Sequence, residues 1–173
     1  MPDAKRLVID ASIAQAAGGR PHETSKQCSD FLLIIRDETE HFLVMTREIF
    51  AEWQKHEAKY ATTWRKSMVA KKRVAFFKEE ALADLTLRDQ IENMDTSDAN
   101  RREMLKDVHL LEAALISDRT VASLNSKDRD RFVSVCAIVS EISNIVWVNP
   151  VISEEKCLDY LSFGKVGYLS RRG

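Results

Sequence analysis

Four short runs rich in β-branched and apolar residues punctuate this chain, and each is followed by a longer stretch whose apolar residues recur at helical spacing. That alternation is the strongest constraint on the fold. Strands separated by a helix-length segment do not close as hairpins, so they pair in parallel with helices on both faces of the sheet. The runs are 6–9, 42–45, 120–124 and 145–148. Ser12 is placed to cap a helix through Ala17 that Gly18-Gly19 ends. Cys28, Phe31, Leu32 and Ile35 predict a helix over 25–37, and Thr46 is placed to cap the helix that carries Ile49, Phe50 and Trp53 inward. Further helices are expected over 105–116, 127–142 and 153–161, the last ended by Gly164. Between 58 and 94 no strand signal appears. Trp64, Met68, Val74, Phe77, Leu82 and Leu85 there suggest two helices. The expectation is one domain over 1–173: an α/β fold of three α/β/α layers around a parallel sheet, with a helical insertion at 58–95.

With 173 residues the chain suits a single core, and 45% hydrophobic with 31% charged residues is a globular balance. The 26 basic and 27 acidic residues nearly cancel, which argues against coating nucleic acid by bulk charge. Three widely spaced cysteines, Cys28, Cys136 and Cys157, show no metal-type spacing and read as buried thiols in a reducing setting. The apolar run at the amino end is short and is broken by Asp10, unlike a signal peptide. No stretch reaches the roughly 18 apolar residues that span a bilayer. The expectation is therefore a cytoplasmic protein with no membrane partner.

In open parallel sheets, sites form beyond the carboxyl ends of the strands. Asp10 stands at the end of the first run, Glu48 lies in the first turn after the second, and Asp107 is expected near the start of the helix that leads to the third. Each alone reads as well as a cap or a solvated surface acid. Together they suggest hard-oxygen ligands, since gathered carboxylates repel unless Mg²⁺ or Mn²⁺ neutralises them.

The blocks LVIDAS at 7–12, MTREIFAEW at 45–53 and KDVHLLEAALISDRTVASLN at 106–125, continued by SKDRDRF to 132, resemble the signature blocks of PIN-domain ribonucleases. The resemblance implies a PIN-like, Rossmann-like parallel sheet and a metal-dependent endoribonuclease that hydrolyses RNA with Mg²⁺ or Mn²⁺. Members often act as toxins restrained by a small antitoxin protein, and often as homodimers. Asp10, Glu48 and Asp107 match the family's first three acids and its metal ligands, and Ser12 the supporting hydroxyl; Thr46 is a softer match. The fourth acid usually ends a Ser- or Thr-x-Asp pattern, which here is Ser123-Leu124-Asn125. Asn125 can offer an amide oxygen but no charge, which lowers the expected affinity for a second metal; Asp128 is the nearby acid able to substitute. Asp118 precedes the strand and falls at the wrong end. The implied catalytic set is Asp10, Glu48, Asp107 and Asn125, with Asp10 and Asp107 as direct ligands. The rival reading is a PIN-like module that binds RNA or protein without cutting.

Arg65, Lys66, Lys71, Lys72 and Arg73 form a basic stretch that either contacts RNA phosphates or makes a solvated helix face. Trp64 and Phe76 are open to base stacking or to the core. His109, two residues past Asp107, is expected to point away from that acid.

Overall fold

The computed structural model describes residues 3–18 and 21–163. Its sheet is built from β1 (Arg6–Ile9), β2 (Phe42–Met45), β3 (Val74–Phe76), β4 (Thr120–Ala122) and β5 (Val146–Val148). All adjacent pairs are parallel, in the order β3-β2-β1-β4-β5. The helices are α1 (Ala11–Ala16), α2 (Glu23–Asp37), α3 (Arg47–His56), α4 (Lys59–Ala70), α5 (Leu87–Glu92), α6 (Asp98–Leu115), α7 (Ser126–Val135) and α8 (Cys157–Phe163). Contacts divide most of them into two sets: α1, α2, α3 and α4 pack together, and α6 packs on α5 and α7. The sheet lies between, giving three α/β/α layers.

The chain steps outward from β1 through β2 to β3, then returns to the far side of β1 as β4. Connections on the two sides of that boundary leave in opposite directions. A crevice therefore opens between β1 and β4 at the carboxyl edge of the sheet. The ladder extends right to it, for the Asp10 N–H donates to the Ala122 carbonyl at 2.9 Å and the Ser123 N–H to that of Val148 at 3.0 Å.

Two tryptophans anchor the first helical layer. Trp53 and Trp64 are essentially unexposed, with ring centroids 6.1 Å apart. Each indole N–H finds a buried carbonyl, Trp53 on Ile9 at 2.8 Å and Trp64 on Leu32 at 2.5 Å. An unmet indole N–H there would cost about 1–3 kcal/mol, so the paired donors make these large rings compatible with the core. Trp64 is thus a core residue and not a stacking platform. Phe76, on the edge strand, is 56% exposed.

The segment 58–94 departs from the expected two-helix insertion. Only α4 is a long helix there, and β3 adds to the main sheet beside β2 with Leu43 opposite Val74. Lys72, at φ +56°, turns the chain from α4 into this strand. A short 3-10 turn (Glu79–Leu82) and α5 complete the region. Helix α6 begins well before the expected start, with the Ser97 side chain accepting from the Asn100 N–H at 3.2 Å, so Asp107 sits mid-helix. The helix expected over 127–142 stops at Val135 and resumes only as a 3-10 turn at Ser140–Asn144. The residue flanking α1 is Asp10, not Ser12, and the helix ends before Gly18, whose φ is +74°. Gly19 and Gly164, expected helix stops, lie outside the described residues. No helix among the described residues is long and apolar enough to cross a membrane.

Candidate active site

Asp10 follows β1 directly, at the mouth of the crevice. The Trp53 indole grips the carbonyl just before it, which fixes the backbone from which the carboxylate projects. Two hydroxyls then hold the side chain: Ser12 Oγ donates to Asp10 Oδ2 at 2.6 Å and Ser123 Oγ to the same oxygen at 2.8 Å. Oδ1 is used by neither. The Leu124 N–H donates back to Ser12 Oγ at 3.2 Å and the Asn125 N–H to Ser123 Oγ at 3.0 Å. The loops after β1 and β4 are thereby stitched together around one carboxylate, pre-organised at its oxygens.

Asn125 serves the next helix. Its side-chain oxygen accepts from the Asp128 N–H at 3.2 Å as the N-cap of α7, and its amide donates to Asp128 Oδ2. The first bond is an ordinary N-cap, and the second ties the two side chains together, while the Asn125 backbone N–H is already taken by Ser123 Oγ. Asp128, 3% exposed, also pairs with Arg131 at 2.5 Å. Across the crevice the Asp107 carboxyl hydrogen-bonds to Asp128. Burial, that hydrogen bond and the negative charges of Asp128, Asp10 and Glu103 push the Asp107 carboxyl up to about 8. In the metal-free protein at neutral pH the Asp107–Asp128 pair therefore keeps a proton between two oxygens that would otherwise repel.

Glu48 lies on the rim, in the first turn of α3, while Thr46 Oγ1 accepts from the Ile49 N–H at 3.3 Å as the cap of that helix. Both Glu48 oxygens accept from Arg88 Nη2, at 2.8 and 3.0 Å. Arg88 Nε in turn donates to Glu112 Oε1 at 2.6 Å. Burial pushes the Glu112 carboxyl up while Arg88 pulls against it. His109 is 8% exposed and donates from Nδ1 to the Lys106 carbonyl at 2.9 Å, with Glu48 Oε2 at 3.9 Å from the same nitrogen. Burial lowers its pKa against the opposing charges of Glu48 and Asp10, so the ring is neutral at pH 7.

The crevice thus sets Asp107 against Asp128 with Asp10 near enough to act on Asp107 by its charge, while Glu48 is held at the rim by Arg88. Among the described residues no three His, Cys, Asp or Glu side chains stand in a group that could hold a metal ion. The side chains nearest the switch point do carry hard oxygen donors, the type that Mg²⁺ and Mn²⁺ take, although they are not gathered into a ligand set. Mg²⁺ in particular is commonly held through one or two carboxylates with water completing the shell.

Arg88, Glu112 and His109 carry no sequence signal, since their relation to Glu48 exists only once α3, α5 and α6 have packed. The basic stretch falls elsewhere. Arg73 is 7% exposed and donates to the carbonyls of Ile35, Arg36 and Thr39 at the end of α2. Arg65 pairs with Glu57 through two bonds, at 2.6 and 3.0 Å, and lies over the Phe50 ring. Both arginines are spent on structure rather than on RNA. Lys66, Lys71 and Lys72 are exposed, and the last two immediately precede β3 at the amino edge, the end opposite Asp10. Asp118 is likewise at the amino edge, paired with Arg6 at 2.8 Å, as its position before β4 implied.

Neither protein-family models nor curated protein sequences yield a match to this chain.

Proposed function

We propose that this chain is a metal-dependent endoribonuclease of the PIN type that hydrolyses RNA phosphodiester bonds in the crevice between β1 and β4. One observation supports the reading: at the switch point of the sheet the Asp107 carboxyl is buried, hydrogen-bonded to Asp128 and within the field of Asp10, so that it keeps its proton up to about pH 8. A buried carboxyl with a strongly raised pKa beside other acids at a switch point is the kind of group that functional sites use. When bound, Mg²⁺ or Mn²⁺ supplies a Lewis acid that lowers the pKa of water and balances charge on the phosphate oxygens. Asp10, through the oxygen its two serines leave unused, and Asp107, after losing its proton, are the side chains that would hold it. Ser12 and Ser123 keep the Asp10 carboxylate from rotating.

A second reading has its own observation. With both Glu48 oxygens taken by Arg88 and Asn125 spent on a helix cap, the crevice also suits a module that binds RNA without cutting it.

Incubating single-stranded RNA with the purified protein separates the two. The nuclease reading predicts fragments in Mn²⁺, none in EDTA, and no 2′,3′-cyclic phosphate ends, since water rather than the 2′-hydroxyl is the nucleophile. Cyclic phosphate ends, or cutting that persists in EDTA, contradict it. Folded protein that binds varied RNAs and cuts none supports the binding module.

A further inference from the structure

An acidic crevice must still attract a polyanion, and the basic stretch noted in the sequence lies at the wrong end of the sheet to help. Arg131 is spent on the buried Asp128, and Arg88 is a more exposed cation at the crevice rim. Its setting is asymmetric. On one side Nε donates to Glu112, whose side chain is 8% exposed; on the other Nη2 reaches Glu48, whose side chain is 56% exposed. The Arg88 side chain remains 41% exposed, and its Nη1 makes no hydrogen bond among the described residues. Fastening α5 to α6 requires only the inner contact. The outer contact is an exposed ion pair, a kind that contributes little and exchanges readily for another anion.

We infer that Arg88, anchored from behind by buried Glu112, grips an RNA phosphate at the mouth of the crevice and that Glu48 is its resting partner. The inference takes its ligand from the nuclease reading. A planar guanidinium fork suits phosphate oxygens, and one already held by Nε loses less freedom on binding than a free surface lysine. On arrival of RNA the phosphate takes Nη1 and Nη2, and Glu48 is released towards the crevice beside Asp10 and His109. Glu48 therefore competes with the substrate for Arg88 until the substrate is in place.

Fluorescence anisotropy of a labelled single-stranded RNA in EDTA, measured over a range of salt, tests this. Arg88→Ala is expected to bind about tenfold more weakly, with a log–log salt slope reduced by about 0.7, the value of one phosphate contact on a single strand. Arg88→Lys keeps the charge and so the slope, and binds severalfold more weakly for want of the fork; it also covers the case in which the alanine variant fails to fold. Glu48→Gln removes the competing anion and is expected to bind RNA more tightly than wild type. A purely structural Arg88–Glu48 pair predicts instead that both losses act in the same direction. Unchanged affinity and slope in Arg88→Ala, weaker binding in Glu48→Gln, or no RNA binding by the wild type overturns the inference. Cleavage in Mn²⁺ is scored separately: an Arg88 effect on binding without cleavage removes the nuclease reading alone, and cleavage without an Arg88 effect removes the phosphate grip alone.

Discussion

Asp10→Asn is expected to lower RNA cleavage in Mn²⁺ by about a hundredfold or more, while the unfolding free energy stays within about 1 kcal/mol of wild type. The two effects separate because the side chain has two jobs. Asn can turn its amide oxygen towards Ser12 and Ser123, so the bonds now made at 2.6 and 2.8 Å have an acceptor and the stitched loops keep their form. The charge is lost, and with it the site's strongest offer to a cation. Rates on single-stranded RNA, set beside thermal unfolding of both proteins, measure the split. Undiminished cleavage by the purified variant would place the chemistry elsewhere or in a contaminant. A large fall in stability would show that the carboxylate's role is structural.

Asp107→Asn carries the second large effect, and its sign depends on pH. In the metal-free protein the folded-state pKa is raised from 3.8 to about 8. The folded state therefore holds a proton that the unfolded chain has released. Its contribution to stability is fully present below pH 3.8 and is lost as pH rises through 8. The asparagine variant needs no proton at this position. Between pH 4 and 9 its stability should fall less than that of wild type. Above pH 8 it should exceed metal-free wild type by roughly 1–3 kcal/mol, less than the full shift because the crevice is open to screening solvent. The same substitution should abolish stabilisation by Mn²⁺. In wild type that stabilisation should strengthen up to about pH 8, since a cation must displace the proton. Denaturant unfolding at several pH values, with Mn²⁺ and with EDTA, gives all of these. A variant that is less stable than wild type at pH 8.5 would mean that burial and the neighbouring carboxylates do not hold a proton on Asp107.

The central strands were legible because they are buried on both faces. Leu7, Val8 and Ile9, or Leu43, Val44 and Met45, read as continuous apolar runs for that reason. Strand β3 was not legible. It is three residues long, lies at an edge and is partly exposed, and its short apolar run Val74-Ala75-Phe76-Phe77 follows Lys71-Lys72-Arg73 directly, so Val74 and Phe77 read equally well at helical spacing. Pairing with β2 makes it a strand, and that pairing is a long-range event. Asp10 was visible as an acid interrupting a strand. Its neighbour Asp128 was visible only as a nearby carboxylate, because Asn125 drew attention as the position matching a fourth acid. The spacing Asn-x-x-Asp is itself a capping signal, and read that way it places Asp128 on the first turn of α7 facing the crevice. The Glu48–Arg88–Glu112 chain spans three helices and left no trace at any local spacing. His109 points away from Asp107 as helical periodicity requires, yet towards Glu48, which packs on the other flank of α6.

The account turns on a cation replacing the proton among Asp10, Asp107 and Asp128. An anomalous difference map from a crystal soaked in Mn²⁺ reads that directly. The expected result is a peak at the carboxyl ends of β1 and β4, about 2.1–2.2 Å from oxygens of Asp10 and Asp107. A fully soaked crystal with Mn²⁺ bound elsewhere, and the Asp107–Asp128 hydrogen bond intact, would contradict it.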